Sequence, residues 1–450
     1  MRARGRLGSA ATAGIALAAV GVAIRVNNAL RYPTNWGFDA RFNWEYIEHL
    51  MSAWTLPAPG ELWASSHPPL FYYLGAGLGR LLGTPGTEGT VLAIRLLSSA
   101  AGLGSVALAV LLVRRLAPGC DRRVGLAAGA LLFLPVHIYM SAMLNEEMLA
   151  ASLTSLALTG TVFALARPLP DRRESWRAAA IGLVGGLALL TKLSGAIVVL
   201  TSAAAYAAGG LARRRLRPAA LHVTLVIGCA GLAGGWFYAR NQLRYGYLYP
   251  HGLETHRIMR SMPPGERQVA DYLRVPPATW TDPQLLAPGL LRSVWGSTYV
   301  TVFFDGHRTF VPREGSGIQR AGRALLVLGL LPSVAFIVGL GRGARRSLRT
   351  PAGPDLPLLL IVALTLGGYV LFTWRNPWFV AVKGSYLLGL SLPFAYYSSE
   401  VLADWTRGRG ARSHLVLAAL ALAAGLSAAT FSYGTLFAKW EMPGLEWRTG

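Results

Sequence analysis

Residues 178–210 read "AAAIGLVGGLALLTKLSGAIVVLTSAAAYAAGG", and the only charge in the run is Lys192. Arginine-rich stretches bound it on both sides, "DRRESWR" before and "RRRLR" after. A helix needs about 20 apolar residues to cross the hydrocarbon core of a bilayer. The run therefore reads as two short spans, 178–192 and 194–210, with Lys192, Ser194 and Gly195 at the turn. It can equally be one long span followed by a re-entrant piece. Under either reading the segment belongs in a membrane.

The rest of the chain agrees. Its 450 residues are 53% hydrophobic and 14% charged, with a mean hydropathy of +0.40. The charged fraction of a soluble domain is about 25%. Further apolar runs fall near 8–24, 90–113, 124–143, 147–166, 219–238, 320–340, 355–374, 385–404 and 414–436. The expectation is an all-α polytopic membrane protein with about eleven spans. The first run reads as an uncleaved span, because no small-residue cleavage site precedes "RVNNALRYP".

The formal net charge of +22 suggests nucleic acid until its placement is considered. The clusters "MRARGR", "RRLAPGCDRR", "RPLPDRRESWR", "RRRLR", "RGARRSLR" and "RGRGAR" hold 22 of the 43 Lys and Arg, all between apolar runs. Cytoplasmic loops carry such an excess. The clusters alternate with the spans so that all share one side, which puts the N-terminus in the cytoplasm. No folded basic domain is left to grip a nucleic acid. The two cysteines, Cys120 in a loop and Cys229 in a span, lie at different depths and are not expected to pair. No N-x-Ser/Thr sequon occurs. A bacterial plasma membrane fits.

Most acids fall on the other side, in segments 25–89 and 239–319 and in the short turns. The chain divides into a module over 1–238 that includes the outer loop 25–89, an outer loop or small cap over 239–319, and a second module over 320–450. Within the first loop, "FDARFNWEYIEHLMSAW" (38–54) is an amphipathic helix. Phe42, Tyr46, Ile47, Leu50, Met51 and Trp54 share a face, as residues about 100° apart on a helix can. Asp39 and Asn43 lie on that same apolar face. A carboxylate there is an N-cap, or it is paired or working. The following "SSHPPLFYYLGAGLGRLLG" opens a second amphipathic helix, with His67 at its mouth. Trailing the third span, "NEE" offers Glu146 and Glu147, of which the helix dipole accounts for one. Lys192, Arg240 and Asn241 of "WFYARNQLRYGYLYP", and Lys383 and Tyr386 of "VKGSY", end or open other apolar runs. Snorkelling explains each cation singly. Together they suit a phosphate held at the membrane surface. In the 239–319 segment, "HGLETH" groups His251, Glu254 and His256 at a spacing that matches no standard metal site. "VWGSTYVTVFFDGHRTF" has strand-like composition.

In order along the chain, these pieces are an acid-bearing amphipathic loop, "HPPLFYYL", "NEE", "LLTKLSG" and "WFYARNQLRYGYLYP". Over residues 1–250 they resemble the type-C membrane glycosyltransferases that use polyprenyl-phosphate sugars, including protein mannosyltransferases and aminoarabinose transferases. The resemblance implies a bundle of that type with juxtamembrane helices in the first outer loop. It also implies transfer of a sugar from a polyprenyl-phosphate carrier to a hydroxyl on a lipid, glycan or protein, with membrane lipids as surroundings. By the resemblance, Asp39 and Glu146 are the catalytic acids and Arg240 binds the donor phosphate. Lys383 stands where relatives carry a late arginine. Asn43, His67, Glu147, Lys192, Asn241 and Tyr386 complete the substrate-binding set. A divalent cation is possible, although Asp-Ala replaces the adjacent acids of many relatives in the first loop. The competing classes are a transporter or lipid flippase, and a non-catalytic membrane assembly subunit.

Overall fold

The computed structural model describes residues 4–82, 87–250, 254–311, 316–408 and 410–434. Its regular structure is almost entirely helical. In chain order the helices are α1 (Arg4–Arg31), α2 (Ala40–Ala53), α3 (Leu70–Leu82), α4 (Thr87–Leu116), α5 (Asp121–Leu132), α6 (Pro135–Ala142), α7 (Glu147–Ala166), α8 (Asp171–Thr191), α9 (Gly195–Ala212) and α10 (Leu216–Ala230). They continue with α11 (Trp236–Tyr245), α12 (Val269–Leu273), α13 (Ala278–Thr281), α14 (Val294–Phe303), α15 (Ser316–Leu328), α16 (Leu330–Arg349), α17 (Asp355–Arg375), α18 (Ser391–Trp405) and α19 (Ala411–Thr430). Among the described residues the only β pairing is an isolated bridge, Pro59 to Leu62.

Eight helical stretches among the described residues are long and apolar enough to cross a membrane, or nine if the bent pair α5 and α6 is one span. The protein is thus a multi-pass membrane protein, with fewer spans meeting that test than the eleven expected. The two remaining expected spans fall within α1 and α8, and α8 opens on the five charges of "DRRESWR". Helices α8 and α9 are separate, packed together and joined by the turn at 192–194; α9 is among the helices long and apolar enough to cross a membrane and α8 is not. The bend of 51° between α5 and α6 falls at Pro135, whose ring takes the first turn of α6 and has no N–H to continue α5.

Small residues let the helices touch backbone to backbone, as is usual where lipid removes the hydrophobic drive for association. A Cβ on Gly182 would lie 2.4 Å from the Val226 carbonyl oxygen, and one on Gly186 would lie 2.6 Å from that of Ala230. Between α10 and α11, Gly231–Gly235 forms a π turn, with Gly234 against the Gly186 carbonyl. At the arginine-rich end, Arg346 bridges Asp355 (2.9 Å) and Glu400 (2.7 Å), while Arg342 meets Asp404 at 2.5 Å. These pairs knit α16, α17 and α18.

At the other end, α2 and α3 form the expected amphipathic pair. Ala40, Asn43, Trp44, Tyr46, Ile47 and Leu50 of α2 are buried, as are Phe71, Tyr72, Gly75, Ala76 and Gly79 of α3. Tyr46 stacks on Tyr72 at 4.2 Å. Segment 294–303, strand-like in composition, is helical. Ser293 caps it by accepting from the Gly296 N–H at 3.0 Å, and packing against neighbouring helices overrides the β-branched propensity.

Candidate active site

The end of the bundle opposite the arginine-rich loops gathers acids and lysines. Helix α7 begins at Glu147, with Glu146 at the cap position, where the first-turn N–H groups favour negative charge. The Asn145 side chain accepts from the Glu147 N–H at 3.1 Å and fixes that turn. Helix α8 ends at Thr191, and Lys192 leaves it in an extended conformation. The turn then closes with Gly195 N–H on the Lys192 carbonyl at 2.8 Å. Only glycine fits there, since a Cβ would sit 2.3 Å from the backbone of Ala188.

This turn drives the Lys192 ammonium between two carboxylates, 3.0 Å from Glu146 Oε1 and 2.6 Å from Glu147 Oε1. Both glutamates are buried, 6% and 8% exposed. Burial opposes ionisation of Glu146, but Lys192 and then His67 outweigh it and hold the carboxyl below the usual range. Burial likewise opposes the charge on Lys192, and the two glutamates outweigh it, raising its pKa well above normal. Ser385 Oγ donates to Glu147 Oε1 at 3.4 Å.

Asp39 stands at the start of α2 but does not cap it. Its backbone is left-handed (φ 56°) and its side chain makes no capping hydrogen bond. The carboxylate instead meets Lys383 Nζ at 3.6 Å, with the Asp39 side chain 40% exposed and that of Lys383 12%. Lys383 also lies over the Phe38 ring at 4.3 Å. Tyr386 joins the two halves of the cluster, with Lys192 4.9 Å and Lys383 6.0 Å from its ring centre.

Asn43 and His67 are linked by Tyr72, which was not singled out from the sequence although "HPPLFYYL" contains it. His67 Nδ1 is 2.9 Å from the Tyr72 hydroxyl, which donates to Asn43 Oδ1 at 2.9 Å. Asn43 Nδ2 donates to the Leu144 carbonyl at 2.8 Å, just before the acid turn. Because Tyr72 spends its one proton on Asn43, His67 Nδ1 is the donor of its pair. The same nitrogen lies 4.0 Å from Glu146 Oε1. Burial keeps Tyr72 protonated, and Glu146 and Asp39 both reinforce this, so the two acids act on one ring.

Two further residues were not singled out. Tyr249 sits near Lys192, Glu146 and Tyr386, and burial lifts its hydroxyl pKa to about 12. His307 packs edge-on to Phe38 at 5.3 Å. Neither stands out in sequence, because each arrives from the 239–319 segment through long-range folding.

Among the described residues neither Arg240 nor Asn241 hydrogen-bonds or pairs with these acids and lysines, although Arg240 lies near enough to Tyr46 and Tyr73 to act on both phenols. Arg240 contacts Asn241 Oδ1 at 3.2 Å and lies over the Tyr245 ring at 5.5 Å. Asn241 is fully buried, and its amide nitrogen has no hydrogen-bond partner. Among the described residues no group of three or more His, Cys, Asp or Glu is placed to hold a metal. The side chains of His251, Glu254 and His256 lie outside the described residues.

A small recess of about 30 Å³ lies beside the cluster, between helices of the bundle. Glu147, Ser385 and Tyr386 line it beside Thr154, Ile361 and Leu388, so charge gives way to apolar surface between α7, α9 and α17.

Residues 66–236 match the family model of the dolichyl-phosphate-mannose-protein mannosyltransferases. His67, Glu146, Glu147 and Lys192 fall inside that match, while Asp39 and Lys383 fall outside it. No curated protein matches the chain. The apo oligosaccharyltransferase of Archaeoglobus fulgidus superposes with a TM-score of 0.52 at 16% identity, covering 93% of this chain and 56% of its own. The same enzyme with zinc and sulfate gives 0.53 at 17% identity, covering 93% and 53%. ArnT from Cupriavidus metallidurans bound to undecaprenyl phosphate gives 0.42 at 14% identity, covering 88% and 80%. The chain spans about half the length of the oligosaccharyltransferase it matches. It is a multi-pass membrane protein with the type-C glycosyltransferase fold, and over residues 66–236 it carries the pattern of the dolichyl-phosphate-mannose-protein mannosyltransferase family.

Proposed function

We propose that the protein is a glycosyltransferase that moves a sugar from a polyprenyl-phosphate carrier to an acceptor hydroxyl. The observation that carries this reading is the pairing of Asp39 with Lys383, beside Lys192 and its glutamates, next to a recess between α7, α9 and α17. The prenyl chain runs along the apolar helices beside this recess and its phosphate reaches Tyr386, between the two lysines. A phosphate there competes with Asp39 for Lys383. As the ammonium turns to the phosphate, the Asp39 carboxylate is freed to accept a proton.

The acceptor oxygen then bonds to the anomeric carbon as the carbon–oxygen bond to phosphate breaks. The hydroxyl proton goes to Asp39 and the charge on the leaving phosphate is met by Lys383 and Lys192. A single displacement through an oxocarbenium-like state inverts the anomeric centre. Glu146 and Glu147 keep Lys192 charged and aimed, and Glu146 acts through that lysine. Arg240 stands apart from this step. No step is routed through a metal, because Asp39, Glu146 and Glu147 each already face a lysine.

The basic clusters at the opposite end of the bundle support a site on the outer face of a bacterial plasma membrane, with the N-terminus in the cytoplasm. The 239–319 segment forms one wall of the site, between the modules 1–238 and 320–450. The test is purified protein in lipid nanodiscs with a panel of polyprenyl-phosphate sugars, beginning with mannose. Release of polyprenyl phosphate by the wild type and its loss in Asp39→Asn are expected. Equal turnover by that variant removes Asp39 as base, and silence with every donor removes the reading.

A further inference from the structure

His307 has no part in the mechanism above. Its Nε2 lies 3.0 Å from the Val382 carbonyl oxygen. A carbonyl only accepts, so Nε2 carries the ring proton. Burial, and then the Lys383 ammonium, hold its pKa down at about 3, so the ring is neutral at working pH. Nδ1 therefore presents a lone pair.

The turn that carries the ring is held firmly. Asp305 Oδ2 accepts from the N–H groups of Phe310 (2.5 Å) and Val311 (2.9 Å), and the Arg308 N–H closes on the Asp305 carbonyl at 2.9 Å. The ring packs between Phe38 (5.3 Å) and Phe379 (6.1 Å), and its charge state responds to Asp39 as well as Lys383.

The two sides of the site differ in make-up. The recess is lined mostly by helical side chains, with Glu147, Ser385 and Tyr386 among them. The Asp39 side is built instead from non-helical segments, residues 33–39 and 304–311. A lipid-carried donor suits the first side and a polar acceptor the second. Resting on the glycosyl-transfer reading, we infer that His307 binds the acceptor, and that the acceptor is a carbohydrate. One sugar hydroxyl gives its proton to Asp39, and its neighbour donates a hydrogen bond to His307 Nδ1. Phe38 supplies an apolar wall. Adjacent hydrogen-bond acceptors beside an aromatic ring match vicinal hydroxyls. Lys383, 3.6 Å from Asp39, adds a donor beside these two acceptors, and sugar hydroxyls, which each donate and accept, meet both needs.

The experiment uses the nanodisc enzyme with the lipid-linked sugar it consumes, octyl glycosides or a Ser/Thr peptide as acceptors, and water as the default acceptor. His307→Ala is expected to raise the KM for octyl glycoside at least tenfold, with the donor KM changed less than twofold. The ratio of transfer to hydrolysis falls in step. His307→Asn keeps one donor and one acceptor and is expected to restore most of the ratio. An unchanged glycoside KM in a His307→Ala enzyme that still turns over donor overturns the inference and leaves the glycosyl-transfer reading standing. So does an equal rise in donor KM, or a preference of the wild type for the peptide. A wild type inert to every donor instead removes the underlying reading.

Discussion

Replacing Lys192 with Met tests the centre of the cluster. The ammonium lies 3.0 Å from Glu146 and 2.6 Å from Glu147, and both acids are buried. Methionine keeps much of the side-chain volume and removes the charge, so the two carboxylates face each other without a counterion. Removing one partner of a buried ion pair costs about 3–5 kcal/mol. The loss has a pH signature. In the wild type the Glu146 pKa is depressed, so its contribution to stability is present above the unfolded-state carboxylate range and is lost as pH falls through the folded value. In the variant Lys192 no longer offsets burial, so a proton taken up by the glutamate pair relieves the strain. The stability gap between wild type and Lys192→Met should be widest near pH 8 and shrink by more than half at pH 5. Equilibrium unfolding in mixed micelles across that range measures it. Adding Glu146→Gln and Glu147→Gln to Lys192→Met should recover most of the loss at pH 8. A gap below about 1 kcal/mol, or one that does not change with pH, refutes the assignment of a buried triad.

Three other outcomes follow from the geometry. Asp39→Asn keeps the left-handed backbone and should lower transfer by about 10²–10⁴-fold, the usual range for a general base, while labelled polyprenyl phosphate still binds. Lys383→Met removes the cation shared by Asp39 and the incoming phosphate, so polyprenyl-phosphate affinity should drop about tenfold or more, read by competition binding. Asp305 has a pKa raised by burial to about 6, so the folded state gains on protonation there. Between pH 7 and pH 5 the wild type should gain about 1 kcal/mol relative to Asp305→Asn, and a constant difference in the unfolding curves would reject the buried, ionisable carboxyl.

Apolar runs alone place most of the helices, because a bilayer demands length and composition that few other settings tolerate. The amphipathic helix at 38–54 was legible because helical periodicity is local, but Asp39 precedes α2 in a left-handed conformation, so the periodicity that drew notice to it does not set where its carboxylate points. Charges at the ends of runs were legible as well, and Lys192 and Lys383 do share one cluster with Glu146 and Glu147. Arg240 has the same sequence character yet makes no ion pair with these acids among the described residues, since periodicity says nothing of which end-of-run cation turns toward which acid. His307, Tyr72 and Tyr249 depend on contacts between distant segments, and nothing in their immediate sequence marks them. The helix at 294–303 shows the opposite failure. Its local β-branched pattern was clear, and tertiary packing overrode it. The count of spans was blurred where arginine-rich starts run straight into apolar helix, as in "DRRESWRAAAIGL".

The left-handed backbone at Asp39 separates two demands on a single codon. Few side chains tolerate that conformation; Asn, Asp and Gly do so most readily. Glutamate keeps the charge yet loses on shape, while asparagine keeps the shape and loses the charge. In a saturation library sorted first for membrane expression and then for growth, the architecture would filter by backbone compatibility and the chemistry by acidity. Only aspartate meets both conditions, so even a one-methylene change counts as radical there.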